Sequence, residues 1–172
     1  IEIEEDRLGE AWRRGPVILA WDEVLAGGRG DTEGHNLVFH EFAHQLDSES
    51  GAAEGAPDLG SRARYAAWAQ VLSHDYEKLR DDLHHHRHTF LDPYAATNPA
   101  EFFAVVTEYF FEKPEKLQEH HPELYQLLLR AFRQNPKKRF LRLATDPREW
   151  IRSLRSRHKK FGRNSPCPCG SG

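Results

Sequence analysis

One segment of this chain restricts its fold more than any other: His40-Glu41-Phe42-Ala43-His44, set among Leu37, Val38, Phe39 and Leu46. The apolar residues from about Asn36 to Leu46 predict a buried helix. Residues four apart in a helix lie one turn above each other, so His40 and His44 share a face. Imidazole and carboxylate groups are costly in an apolar setting unless they are used. Two histidines at this spacing can converge on one metal ion, at the ~2.0–2.1 Å that zinc takes from a ring nitrogen. Glu41, beside the first histidine, is then placed to accept a proton from water rather than to ligate. A purely structural metal site has no use for that carboxylate, so the pattern points to metal-assisted hydrolysis.

A catalytic zinc takes three protein ligands and keeps one position open. Six residues beyond His44, where one metallopeptidase pattern places a third histidine, stands Ser50. Asp47 lies three residues on in the same helix and reads as support for a ligand histidine. Glu101 and Glu108, both on the next apolar helix, are the candidates for the third ligand. With Asn98 as N-cap and Pro99 opening that helix, Glu101 also falls where a capping-box carboxylate belongs. Periodicity leaves cap and ligand both open.

The remaining chain reads mainly as helix. Pro16 to Trp21 is apolar and β-branched, a strand, and Gly27-Gly28-Arg29-Gly30 reads as a loop. Gly51 to Gly60 is a second loop. Residues 62–83 carry Tyr65, Trp68, Leu72, Tyr76, Leu79 and Leu83 on one helical stripe. His84 to Pro93 is a polar break, whose His84, His85, His86 and His88 read as a solvated tract. A helix follows from Asn98-Pro99 to just before Pro114, and another from Pro122, with His120 and His121 in its starting turn. Many helices and one clear strand give an α+β, mainly helical class with a small sheet.

Charge is unevenly placed. Residues 130–163 hold 13 of the 24 Lys and Arg but only two of the 27 acids, so a basic segment follows an acidic body. No aromatic-interleaved motif accompanies these bases, so they read as a solvated helix and linker, and nucleic acid is not an expected partner. No apolar run approaches the ~20 residues of a membrane span, so no membrane partner is expected. The start, Ile-Glu-Ile-Glu-Glu-Asp, is acidic and unlike a secretion signal, and the only cysteines are Cys167 and Cys169; a cytoplasmic location is expected. With no methionine in the chain, Ile1 is not expected to be a native start.

Three segments carry a resemblance: Gly15 to Gly28 (GPVILAWDEVLAGG), His35 to Asp47 (HNLVFHEFAHQLD) and Asp92 to Phe111 (DPYAATNPAEFFAVVTEYFF). In content and order they resemble the Mlc titration factor A family of zinc peptidases, over roughly residues 7–140. The resemblance implies a zincin-like fold related to the anthrax lethal factor catalytic domain, and Zn²⁺ as cofactor. It implies His40, His44 and Glu101 as metal ligands (the gluzincin set), Glu41 as general base, and Tyr94 as an assisting tyrosine. The substrate would be a peptide or protein, the enzyme a metallopeptidase of aminopeptidase or other type. The family name brings in a second expectation, a non-catalytic zinc-containing adaptor that binds a transcriptional repressor of the Mlc type. The tail from Gly162 to Gly172 resembles the opening of a SEC-C zinc motif, which stops short of its last two ligands. The expected organisation is a peptidase domain over 1–155, truncated at its N-terminus, and a disordered linker with a partial SEC-C motif over 156–172.

Overall fold

The computed structural model describes residues 9–11, 17–29, 34–49 and 54–138. They belong to one compact unit that ends at Pro136, apart from the first two residues of a second unit beginning at Lys137. Within the first unit the order is β1 (Gly9–Ala11), β2 (Val17–Leu19), α1 (Trp21–Arg29), α2 (Leu37–Glu49), α3 (Arg62–His84), a 3-10 helix (Pro93–Ala96), α4 (Pro99–Glu112), α5 (Pro114–His120) and α6 (Pro122–Phe132). The class is α+β and mainly helical, as expected. The basic segment beyond residue 138 and the cysteine tail lie outside the described residues.

The sheet is a single antiparallel pair, with Gly9 opposite Leu19 and Ala11 opposite Val17. β2 is shorter than the apolar run predicts, because Trp21 already opens α1. The Gly27-Gly28-Arg29 stretch, expected as a loop, is the last turn of α1. There Gly27 is buried, and a Cβ on it would sit 3.2 Å from the Asn36 amide. The glycine is kept by that close approach rather than by a turn.

The core is built around α4. Its residues Phe102 to Phe110 are all buried, as expected of a helix that is apolar on every side. Trp68 meets Phe103 edge-on at 5.6 Å, Tyr76 meets Phe102 in the same way, and Phe110 packs on Tyr125 and Phe132. The start of α4 is set by its punctuation: Pro99 opens it, and the Asn98 side chain accepts the Glu101 N–H at 2.9 Å. α5, not foreseen in the sequence, fills the interval between Pro114 and His120, so His120 ends a helix instead of starting one.

α2 departs from expectation in which face it buries. Its buried residues are Glu41, Ala43 and Asp47, while Phe42 is 53% exposed. α4 already fills the core, and α2 lies against it through small Ala43 and its polar residues. The apolar residues Leu37, Val38, Phe39 and Leu46 end up only half-buried, with Phe39 stacked on Phe111 of α4 at 4.6 Å.

Candidate metal centre

Two helices supply the site. His40, Glu41 and His44 come from α2, and Glu101 comes from the first turn of α4. The cap and the side chain of Glu101 separate cleanly: Asn98 takes its backbone N–H, while its carboxylate turns to the histidines. His40 Nε2 lies 3.1 Å from Glu101 Oε2 and 3.2 Å from His44 Nε2, and His44 Nε2 lies 3.4 Å from the same carboxylate oxygen. All three side chains are largely buried.

Three distances of nearly one length are informative. The corners of a tetrahedron centred ~2.0–2.1 Å from each lie ~3.3–3.4 Å apart, the spacing of ligand atoms around zinc. The two nitrogens and one oxygen match that spacing, so the donor set fits a tetrahedral metal with its fourth position open. It is the only such group among the described residues. The histidine tract forms none: His85 Nδ1 instead meets the Asp81 carbonyl at 2.9 Å, at the end of α3.

Without a metal, protons take its place. Burial alone would lower the pKa of His40, but its contacts with Glu101 and Glu108 outweigh burial and raise it to about 9. Burial would raise Glu101, yet the histidine contacts hold it at about 2. The metal-free pocket therefore holds an imidazolium–carboxylate pair at neutral pH.

Tyr94 sits on the 3-10 helix, its ring centre 6.1 Å from that of His40. Burial, and then the charges of Glu101 and Glu41, push its phenol above the usual value. Tyr94 is 53% exposed. Asp92 caps that 3-10 helix by accepting the Tyr94 N–H at 2.7 Å, and His35 pairs with Asp92 at 3.4 Å.

Glu108, an alternative third ligand in the sequence, stands away from the triad. Its carboxylate meets the other nitrogen of His40, Nδ1, at 2.8 Å. Asp47 Oδ1 accepts the N–H groups of Gly55 and Ala56, both at 2.9 Å. Those bonds hold the 55–56 loop against the start of α4, where Gly55 has φ +83° and leaves no room for a Cβ beside the Pro99 carbonyl. Asp47 thus fixes the end of the helix that carries Glu101. Nothing in the sequence pattern marks His35 or Asp92 as part of the site; Asn36 carries a usable signal, an N-cap residue type just before the apolar run.

The family model described as glucose-regulated metallo-peptidase M90 matches residues 1–133. An uncharacterised protein of Synechocystis is 48% identical over 132 residues, which is 75% of this chain and 48% of that protein. The Mlc titration factor A proteins of Yersinia pestis and Yersinia pseudotuberculosis are each 39% identical over 137 residues, 78% of this chain and 50% of theirs. The chain thus spans about half the length of the curated relatives it matches.

Proposed function

Since the chain belongs to the glucose-regulated metallo-peptidase M90 family, we propose that it is a zinc-dependent peptidase of zincin-like fold, working at the His40–His44–Glu101 site. The observation that carries the reading is the tetrahedral spacing of the three donor atoms, with Glu41 buried on the same helix. Zinc, when bound, acidifies water and polarises the peptide carbonyl. His40 and His44 would hold it through ring nitrogens and Glu101 through its carboxylate.

The protein groups do the remaining work. Glu41 takes the proton from the attacking water and hands it to the departing amine. Glu41 is buried at 6% exposure, so bulk solvent has little access to its carboxylate. The Tyr94 phenol, kept protonated by its raised pKa, donates to the oxyanion as the carbonyl turns tetrahedral. An extended peptide can pair with β2, which has only β1 as a strand partner among the described residues. The proposed setting is the cytoplasm; no described helix is long and apolar enough to cross a membrane.

The test is Glu41→Gln, in which an amide of the same shape cannot take up the proton. The variant should bind zinc like the parent and lose peptide hydrolysis by ~10²–10⁴-fold. A zinc-loaded, fully active Glu41→Gln protein would falsify the base assignment. The relatives named Mlc titration factor A favour a second reading, an adaptor that binds a repressor of the Mlc type. That reading gains if the zinc-loaded parent cleaves no peptide in a diverse library yet retains a purified Mlc-type repressor on a column.

A further inference from the structure

Glu108 makes a hydrogen bond with each of its two oxygens, both to α2 or its cap, and His35 Nδ1 lies 4.0 Å from Oε2. Oε1 meets His40 Nδ1 at 2.8 Å, and Oε2 accepts the backbone N–H of Asn36 in a short hydrogen bond. The Glu108 side chain is only 4% exposed. Asn36 is itself the cap of α2, since its Oδ1 accepts the N–H groups of Val38 and Phe39 at 3.1 and 3.3 Å. Its Nδ2 donates to Glu112 at 2.8 Å, one turn along α4 from Glu108.

The donors and acceptors leave one arrangement. A backbone N–H can only donate, and an ionised carboxylate can only accept. With Oε2 taken by Asn36, Oε1 must accept from His40, so Nδ1 carries the hydrogen. The other nitrogen, Nε2, faces His44 Nε2 and Glu101 Oε2, 3.2 and 3.1 Å away; it carries a proton toward Glu101 while the site is metal-free and would offer its lone pair once a metal displaces that proton. Glu101 and Glu108, two turns apart on α4, thus grip the same ring on opposite nitrogens.

We propose that Glu108 is the positioning residue of the metal site: it fixes His40 as the Nδ1–H tautomer, aims Nε2 at the metal position, and locks the ring to the cap of its own helix. The proposal rests on the metallopeptidase reading above. The chemistry calls for a carboxylate specifically. Glutamine has the same size but offers one acceptor and one donor, so either Asn36 N–H or His40 Nδ1–H must face an amide N–H. Aspartate is too short to reach both.

Three measurements test it. In the zinc-loaded parent, long-range ¹H–¹⁵N spectra should show His40 coordinated through Nε2, with a slowly exchanging Nδ1–H. Coordination through Nδ1, or a rapidly exchanging Nδ1–H, would overturn the proposal without any variant. Glu108→Gln should bind zinc ~10–100-fold more weakly, the usual cost of removing such an outer partner, and should shift the visible spectrum of the Co²⁺-loaded protein. Glu112→Gln keeps an acceptor for Asn36 Nδ2 and does not touch His40; it should hold zinc within about twofold of the parent and leave the Co²⁺ spectrum unchanged. If both variants weaken zinc equally, Glu108 is only a staple between α2 and α4. If the parent binds no zinc, or binds it undiminished after His44→Ala, the metallopeptidase reading fails instead.

Discussion

Stability of the metal-free protein should depend on pH through the pair that occupies the site. The perturbation is a pH series on chelator-treated protein. His40 is raised from 6.5 to about 9, so its contribution is fully present below pH 6.5 and disappears as pH rises through 9. Glu101 is depressed from 4.5 to about 2, so its contribution is present above 4.5 and disappears as pH falls through 2. Both hold together between pH 4.5 and 6.5, where the metal-free protein should be most stable. The two shifts share the His40–Glu101 contact, so they are not summed; the His40 shift also includes its contact with Glu108. A displacement of about 2.5 units is worth about 3 kcal/mol, lost between pH 6.5 and 9. Urea unfolding at pH 6 and pH 9 measures it, and saturating zinc should abolish most of the difference, because the metal replaces the proton. At pH 7, about two units below the His40 value, that replacement costs roughly 100-fold in apparent zinc affinity. Equal stability of the chelated protein at pH 6 and 9, with an imidazole of ordinary pKa at His40 by NMR, would refute the reasoning.

Two further outcomes follow from the packing. Glu101→Gln should lower zinc affinity tenfold or more and, in the metal-free protein at pH 6, lower the melting temperature by removing the ion pair with His40, while helix content holds because the Asn98 side chain still accepts the residue 101 N–H; zinc titration beside circular dichroism spectra and melting checks it. Gly55→Ala should destabilise by about 2 kcal/mol or more, since the new Cβ would meet the Pro99 backbone at positive φ, whereas Gly28→Ala, with open space inside α1, should stabilise by about 0.5–1 kcal/mol; denaturant midpoints of the two variants, read against the parent, must move in opposite directions.

The sequence was most legible where a residue acts locally. Asn98-Pro99 and Pro122 mark helix starts because capping and a fixed φ operate within a turn, and both stand where α4 and α6 begin. α5 escaped notice because seven residues are too few to show a period. Gly27 and Gly28 read as a loop because glycine is a poor helix former, yet the tight approach of Asn36 to Gly27 makes a small residue useful there. α2 shows the deeper limit. Periodicity places His40, His44 and Asp47 on one face and Phe42 on another, but it cannot say which face turns inward. Hydrophobicity predicts the apolar face, and the structure turns the polar one, because α4 has already supplied the apolar core and its two carboxylates need partners. The same limit governs Glu101 and Glu108. Seven residues apart, they share a face of α4 and are equivalent as candidate ligands in sequence. What separates them is the ring between them: α2 passes so that His40 offers Nε2 to one carboxylate and Nδ1 to the other. Only Glu101 is also within reach of His44, and that second contact, invisible to any one-dimensional period, distinguishes a candidate ligand from the group that orients one.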